Sequence, residues 1–341
     1  MGKYYGRIHA GRALFMEADR IWIANGMNFY SIDYNGKRIS RVYRVGPLYE
    51  RVLSKSRILR QALRIGIHHF LPLSNGNYLV MIKKSALVVT PEGKIISAFT
   101  GFRGNKPAHQ GICVADNGMV FFAEYLLNNE RNNVIRLYRS KDNAITFNCV
   151  KEFECGSIRH IHFVKWDSFN NCLWLGTGDR DEENLLMTSY DYGITWSTIG
   201  KGSQDWRAIG LCFREKEVLW GTDAGSVPDI NHLVRLIREN GNKEIIDNLE
   251  GPCHGCATLK DGRVFFSTGV EGAQNEKDHY ARLKEYRDNK TITCFKLAKD
   301  FLPYIIQFGV IRFPLGSENS DKLVFTAMGL RHGGECVYVE Q

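Results

Sequence analysis

Histidine recurs at the opening of several similar apolar segments along this 341-residue chain. His109, His160 and His254 each begin such a segment, and His69 begins another. The chain has only ten histidines, so their repeated placement indicates a shared site. Imidazole exchanges protons near neutral pH and ligates metals, so the pattern predicts acid–base catalysis or metal binding.

His160 and His162 are two residues apart in a segment that reads as a strand. Alternate residues of a strand project to the same side, so both imidazoles should point the same way. This spacing suits a divalent metal, with Zn or Mn favoured and Ca a further option. The predicted third ligand is His254, with His109 as the alternative and Gln307 as a further candidate. The alternative is that the histidines bind no cofactor and only line a water-filled channel.

Further polar residues stand where each repeat begins its first strand or ends its second. An arginine fork binds a carboxylate, and an aromatic ring stacks on a sugar, so this set suits an anionic carbohydrate. The predicted substrate-binding residues are His69, Glu124, Tyr125, Arg159, Trp206, Arg207 and Gln307. The predicted catalytic residues are His109, His160, His162, Asp179, Asp223 and His254.

Two reactions fit these residue types. A lyase acting on a uronic acid needs a metal or Arg207 to neutralise the carboxylate, a His or Tyr to take the C5 proton, and an acid for the leaving oxygen. A glycoside hydrolase would instead use two carboxyl groups, for which Asp179 and Asp223 are the candidates. The sequence leaves both open.

These residues are positioned by a repeat of about fifty residues. Each unit has an apolar strand, a turn such as Asp116-Asn117-Gly118, a second apolar strand and two more polar strands. Asn-Gly and Asp-Gly favour hairpin turns. The repeat predicts an all-β, seven-bladed β-propeller of four-stranded antiparallel blades forming a single domain, residues 1–341. The opening segment, residues 3–9, is expected to supply the strand that the last blade lacks and so close the ring; separate β-sandwiches are the alternative.

The segment Ser189-Tyr190-Asp191-Tyr192-Gly193-Ile194-Thr195-Trp196 matches the Asp-box pattern Ser-x-Asp-x-Gly-x-Thr-Trp. A degenerate copy at residues 140–147 has Ala144 in place of the glycine. With these boxes the chain resembles the Asp-box (BNR-repeat), sialidase-like β-propellers, a superfamily that includes sialidases and several polysaccharide lyases. The resemblance implies that Ser189, Asp191, Gly193 and Trp196 are structural residues on a hairpin away from the active face.

The resemblance is nearer to the propeller lyases than to true sialidases. Residues 5–9 lack the proline of the sialidase Phe/Tyr-Arg-Ile-Pro motif, and arginines do not recur at the strand openings except at Arg159 and Arg207. Several propeller polysaccharide lyases use His-rich metal or acid–base sites at the mouth of the channel. The same location is therefore implied here for the histidines.

Residues 48–64 interrupt the strand pattern between blades one and two. Leu48, Val52, Leu59 and Leu63 recur at helical spacing and predict one amphipathic helix. The favoured interpretation is a helix packed over the propeller with its basic residues in water. The alternative is a lid or a weak contact with an anionic surface.

Composition sets the remaining expectations. The net charge of +8 is a weak bias toward acidic partners, and no nucleic-acid partner is predicted. No transmembrane segment and no signal peptide are predicted, and nine scattered cysteines favour a cytoplasmic location, or secretion if the sequence is trimmed. The prediction is an enzyme acting on an acidic oligo- or polysaccharide. The alternative is a non-catalytic propeller that binds carbohydrate or protein.

Overall fold

The computed structural model describes residues 5–225, 230–331 and 334–341. Within these ranges the strands form seven four-stranded antiparallel sheets, the blades of a β-propeller, so the predicted fold class is confirmed. Chain contacts divide the molecule into two units, residues 1–67 with 211–341 and residues 68–210. Four blades belong to the first unit and three to the second.

The strands up to residue 140 are β1 (Tyr5–Ala10), β2 (Arg12–Met16), β3 (Ile21–Asn25), β4 (Asn28–Ile32), β5 (Tyr43–Arg44), β6 (His69–Pro72), β7 (Tyr78–Ile82), β8 (Ser85–Val89), β9 (Ile95–Phe99), β10 (Ile112–Val114), β11 (Val120–Ala123) and β12 (Ile135–Ser140). The next nine are β13 (Asn148–Phe153), β14 (His160–Asp167), β15 (Cys172–Gly178), β16 (Leu185–Ser189), β17 (Ser197–Lys201), β18 (Cys212–Phe213), β19 (Glu217–Gly221), β20 (Asn231–Ile237) and β21 (Lys243–Leu249). The last seven are β22 (Cys253–Thr258), β23 (Val264–Thr268), β24 (Tyr280–Arg287), β25 (Lys290–Ala298), β26 (Val310–Arg312), β27 (Val324–Met328) and β28 (Glu335–Glu340).

Helical structure in the described ranges is short. It consists of helices α1 (Leu48–Leu53) and α2 (Arg57–Ala62) and of 3-10 turns at Asp181–Glu183, Gln204–Trp206 and Ser317–Asn319. Among the described residues, no helix has the length and apolar character needed to cross a bilayer.

The first strand of the chain completes the last blade. Strand β1 pairs with β28, with Tyr5 opposite Glu340 and Ala10 opposite Cys336, and the strand order of this sheet is β1-β28-β27-β26. The expectation that the opening segment supplies the missing strand is therefore confirmed. This pairing covers the outer edge of β28, which would otherwise be free to pair with another chain.

The second strand of each blade lies deep in the core. All seven residues of β15 are buried, as are the apolar strands β11, β23 and β27. A strand covered on both faces must be apolar throughout rather than alternating, which explains runs such as Val264-Phe265-Phe266. Charged side chains are therefore absent from the interior of these four strands.

The hairpin between β16 and β17 is held by the matched Asp-box residues. The Asp191 carboxylate accepts hydrogen bonds from the backbone amides of Thr195 (2.8 Å) and Ile194 (3.1 Å) and from the Thr195 hydroxyl (2.6 Å). Those to Thr195 are the main cause that lowers the pKa of Asp191 to about 2. Gly193 adopts φ of +87°, and Trp196 packs against the core of the second unit.

The degenerate copy has the same geometry. Asp142 accepts from the amide of Thr146 at 2.9 Å and from its hydroxyl at 2.6 Å. Ala144 takes the left-handed conformation of the missing glycine, with φ of +63°. Both aspartates therefore act within their own turns.

The helical insertion is present at residues 48–64, but the prediction of one helix there was wrong. The chain forms α1 and α2, separated at Ser54–Ser56, where amides of Lys55 and Ser56 bond three residues back and tighten the turn. The Ser56 hydroxyl then caps α2 by accepting from the amide of Leu59 at 3.4 Å.

The expected orientation of this segment was also wrong. Leu48, Val52, Leu59 and Leu63 are exposed, whereas the charged residues Glu50 and Arg60 are buried. The reason is an ion cluster: the Arg60 guanidinium contacts the Glu335 carboxylate, which also accepts from Arg12 at 2.7 Å. Burial alone would raise the pKa of Glu335, but these two arginines lower it to about 2.

Replacing Asp191 with alanine should lower the free energy of unfolding by about 1–2 kcal/mol, because the amides and hydroxyl of the turn lose their acceptor. Chemical denaturation followed by circular dichroism measures this change. Glu239→Ala, at an exposed turn, is the control and should leave the midpoint unchanged. Equal midpoints for the Asp191→Ala variant and the unaltered protein would show that the box does not stabilise the hairpin.

Candidate functional site

The side chains of His160 and His162 converge at the start of β14. Their ring centroids are 4.7 Å apart, and the Nε2 atoms lie 3.6 and 3.3 Å from Oδ1 of Asp179. The ladder between β14 and β15 shifts register between Ile161 and Phe163, so His162 occupies a bulge. The structure thus brings together three of the predicted site residues.

Asp179 directly follows β15, and its position depends on the backbone conformation of Gly178. This glycine has φ of +148°, and a Cβ there would lie 1.9 Å from the Asn184 side chain. Only glycine can occupy the position without displacing its neighbours. This conformation places the Asp179 carboxylate beside the two imidazoles.

Two arginines contact the same carboxylate. Arg207 donates from Nη2 to Oδ1 of Asp179 at 2.9 Å, and Arg159 donates to Oδ2 at 2.5 Å. Burial alone would raise the pKa of Asp179, but the adjacent imidazoles of His160 and His162 and the charge of Arg207 hold it far below its usual range. Asp179 is therefore ionised at neutral pH.

His162 is neutral under the same conditions. Its side chain is 5% exposed, and burial lowers its pKa to about 4, although the hydrogen bond to Asp179 opposes the shift. A neutral imidazole has one nitrogen with a lone pair and can accept a proton.

The outer boundary of this cluster is formed by more accessible groups. Tyr125 lies over His160 with ring centroids 4.1 Å apart and is exposed. The Arg159 side chain is 28% exposed, so a ligand in solvent meets Tyr125 and Arg159 before the histidines. We call Tyr125, Arg159, His160, His162, Asp179 and Arg207 the basic cluster.

Supporting residues that the sequence did not single out hold the basic cluster in place. Glu183 accepts from the backbone amide of Arg159 at 3.1 Å and from Arg131 Nε at 2.5 Å. Gln204 donates to the backbone carbonyl of Asp179 at 3.1 Å. The only sequence signal was the acidic run at residues 181–183, which begins two residues after Asp179.

The net charge of the basic cluster is positive. Arg159 and Arg207 carry two positive charges, Asp179 carries one negative charge, and His162 is neutral. Such a site attracts an anion and opposes a divalent cation.

Other predicted residues of the second unit have different surroundings. Glu124 is buried and paired with Arg103, whose Nη2 lies 2.8 Å from the carboxylate. Trp206 packs against the backbone of β17, where a Cβ on Gly200 would lie 2.4 Å from its ring. His69 hydrogen-bonds the carbonyl of Ala108 at 2.9 Å, and His109 is half-buried.

A second group of ionisable residues lies in the first unit. The Nε2 atom of His254 is 2.7 Å from Glu271, and Asp223 offers a carboxylate oxygen within 4.8 Å of both ligand atoms. We call Asp223, His254 and Glu271 the acidic cluster. His254, grouped by its sequence pattern with His160 and His162, thus has two carboxylates as its partners.

The backbone makes room for His254. A Cβ on Gly269 would lie 2.0 Å from its ring, so a glycine is required at this position. Burial alone would lower the pKa of His254, but Glu271, with Asp223 also contributing, raises it above its ordinary value. Gln307, a predicted binding residue of the same unit, accepts a hydrogen bond from Arg57 at 3.2 Å.

Comparison with known proteins identifies the fold. No family model matches the chain, and no curated protein matches its sequence. A chain described as the extracellular domain of a hybrid two-component system from B. thetaiotaomicron is similar in structure, with 11% identity and a TM-score of 0.62. That alignment covers 99% of this chain and 40% of the other, so this chain spans less than half of that relative's length.

Two solved structures are matched over most of their length. A chain of the mitotic checkpoint complex is 8% identical with a TM-score of 0.59, covering 100% of this chain and 91% of that one. The Pan2 WD40 domain of Neurospora crassa is 12% identical with a TM-score of 0.54, covering 98% and 94%. At these identities the likeness shows a propeller fold alone.

The lowered pKa of His162 predicts how stability varies with pH. Between the folded value of about 4 and the ordinary value of 6.5, only the unfolded chain binds the proton, so stability falls as the pH is lowered through this range. When the pH is lowered from about 7 to about 5, the free energy of unfolding should fall in both proteins. The fall should be about 2 kcal/mol smaller in His162→Gln, because this variant lacks the titrating imidazole. Urea unfolding at the two pH values measures the difference.

The matched control is His232→Gln, which removes an imidazole hydrogen-bonded to Asn248 in another blade. It should keep the pH dependence of the unaltered protein. Asp179 titrates below this range and does not contribute. If His162→Gln and the unaltered protein lost equal stability on acidification, His162 would not be the residue responsible.

Proposed function

We propose that the protein binds an acidic oligo- or polysaccharide at the basic cluster and cleaves it by β-elimination. The observation that carries this proposal is the convergence of Arg159 and Arg207 beside the neutral imidazole of His162. A guanidinium fork pairs with a carboxylate, and the surplus positive charge is what a uronic acid requires. We further infer that the chain is an Asp-box propeller, which the hydrogen bonds around Asp191 support.

The cationic arginines neutralise the sugar carboxylate, which makes the proton on the adjacent C5 more acidic. His162 accepts this proton, and the electron pair of the broken C5–H bond forms the C4–C5 double bond. The bond from C4 to the leaving oxygen breaks at the same time. Tyr125, at the exposed edge, gives its proton to that oxygen and regains one from water, and His162 then returns the C5 proton to the hydroxide that is left.

Elimination fits better than hydrolysis because of Asp179. A hydrolase needs one carboxyl group that is protonated near neutral pH to serve as the general acid. The pKa of Asp179 lies far below its usual range, since His160, His162 and Arg207 stabilise its ionised form against the opposing effect of burial. Asp179 therefore orients the histidines and arginines in this proposal.

A second candidate is a non-catalytic propeller that holds the same anionic sugar. The observation in its favour is burial: the side chains of His160 and His162 are 4% and 5% exposed. A ligand held by Arg159 and Tyr125 alone would be bound without being cleaved. Separate measurements of sugar binding and of sugar cleavage distinguish these two functions.

We also propose that a divalent cation, Zn²⁺ or Mn²⁺, binds at the acidic cluster. Two carboxylates and one imidazole supply oxygen and nitrogen ligands, and the imidazole favours these ions over Ca²⁺. His160, His162 and Asp179 also offer ligand atoms within 4.8 Å of one another, but the positive charges of Arg159 and Arg207 beside them oppose the metal predicted there. Glu276 accepts a hydrogen bond from the amide of Glu271 at 2.5 Å and fixes the loop that carries this ligand.

Activity on a panel of uronic-acid polysaccharides tests the catalytic proposal. Elimination produces an unsaturated sugar that absorbs ultraviolet light, whereas hydrolysis produces only a new reducing end. His162→Gln should abolish turnover while binding persists, and Arg207→Lys should lower kcat/KM by roughly 100-fold, since the fork is lost. Arg136→Lys, at the exposed pair with Glu152, should retain full activity.

Binding of these polysaccharides that depends on Arg159 and Arg207, without cleavage, would establish the second candidate. Absence of both binding and cleavage across the panel would overturn the proposed site. Circular dichroism of each variant verifies that the fold is retained.

Elemental analysis tests the cation site. Protein made without a histidine tag is treated with a chelator, dialysed against Zn²⁺ or Mn²⁺, and assayed for bound metal. His254→Ala and Glu271→Gln should each weaken metal binding by more than ~10-fold, because each removes a direct ligand and loss of a residue that only supports a ligand already costs about that much. The His160→Ala/His162→Ala double variant is the matched control and should bind as well as the unaltered protein. Metal lost only in the double variant would contradict the assignment.

A further inference from the structure

The helical segment and a neighbouring loop of the first unit present large apolar side chains to solvent. Leu48 is 68% exposed, Phe301 88% and Ile305 89%. A group of exposed apolar side chains of this size is typical of an interaction surface. The surface, here called the apolar patch, consists of Leu48, Tyr49, Val52, Ile58, Leu59, Leu63, Phe301 and Ile305.

The fold fixes this outward orientation. Arg60 of α2 reaches inward to the backbone carbonyl of Ser54 and to Glu335, and Gln61 donates to Glu335 at 2.7 Å. Leaving Glu335 unpaired would strand a buried charge, so the helices cannot rotate to bury their leucines without a large cost. The apolar side is therefore held in solvent by the ion cluster beneath it.

The loop that carries Phe301 and Ile305 is joined to the same surface. Arg57 of α2 donates to Asp300 at 2.6 Å, and the Asp300 side chain is itself buried. A cleft of about 550 Å³ lies here, lined by Arg57, Asp300, Phe301, Leu330, Arg331 and Gly334. Residues 301–306 contain no charged side chain, so the loop extends the apolar patch without interrupting it.

The exposed charges on the segment are of one sign. Lys55 and Arg64 are exposed and Arg51 is half-buried, whereas Glu50, the only acidic residue between positions 48 and 64, is buried. Arg331 is exposed at the cleft. Apolar side chains among basic ones match the boundary of an anionic bilayer, where each nearby Lys or Arg adds to the attraction.

We propose that the apolar patch docks the protein on an anionic lipid bilayer. Val52, Ile58 and Phe301 would enter the boundary between headgroups and acyl chains, while Lys55 and Arg331 contact lipid phosphates. Membrane affinity of this kind depends on buried apolar area together with charge, and requires both. The proposal is independent of the sugar site.

Co-sedimentation with vesicles tests it. The unaltered protein should bind vesicles of phosphatidylcholine mixed with phosphatidylglycerol, and binding should be lost in vesicles of phosphatidylcholine alone and in high salt. Ile58→Asp and Phe301→Asp should each weaken partitioning by about ten-fold or more, because an apolar side chain can no longer enter the lipid. Both side chains are exposed, so the fold should persist.

Ile194→Asp, at an isoleucine of the second unit that is 66% exposed against 53% for Ile58, is the matched control and should bind as the unaltered protein does. Lys55→Glu should also weaken binding to the anionic vesicles, because it reverses one of the charges that attract the lipid phosphates. Equal binding by Ile194→Asp and Ile58→Asp, or no binding to anionic vesicles, would overturn the proposal. A dimer in light scattering that Phe301→Asp dissociates, without vesicle binding, would assign the patch to a second copy of the chain and overturn it too.

Discussion

The second strands of the blades are covered on both faces, and the positions of the polar groups follow from this constraint. A buried strand such as β15 pairs its backbone with two neighbours and has no place for an unpaired charge. Charged residues therefore stand just past the ends of these strands. Asp179 follows β15, Asp223 stands two residues beyond β19, and Glu271 stands three beyond β23.

The same topological position thus supports two groups of opposite electrostatic character. After β15, two arginines surround one aspartate, and the region favours negative ligands. After β19 and β23, two carboxylates meet one histidine, and the region favours positive ligands. The scaffold is alike in both, so a few side chains at the strand ends determine the chemistry that each can support.

Local patterns in the sequence were sufficient for the fold and for part of the site. The blades follow from turns and apolar runs, and the Asp-box hairpin depends on residues within four positions of Asp191. The two-residue spacing of His160 and His162 placed both in one strand, although the bulge at His162 interrupts the regular alternation on which that prediction relied. Glu183 and Arg131 were missed because they are partners 52 residues apart with no common motif.

The prediction of how the helical segment is oriented was wrong for a related reason. Its apolar spacing predicts a buried leucine face, and within a short window that inference is sound. Arg60 is buried because it pairs with Glu335. That partner lies 275 residues further along the chain, so no local pattern reveals it. A buried ion cluster therefore overrides amphipathicity in this segment.

The pairing of β1 with β28 also has a consequence for synthesis. Tyr5 leaves the ribosome long before Glu340, so the edge of β1 must wait until β28 has been made. Until then the emerging chain carries a strand whose hydrogen-bonding partner does not yet exist, a state prone to mispairing with other nascent chains. A ribosome stalled before β28 would release a protein whose last blade cannot be completed. In that protein the edge of β1 would be unpaired and exposed to quality-control proteases.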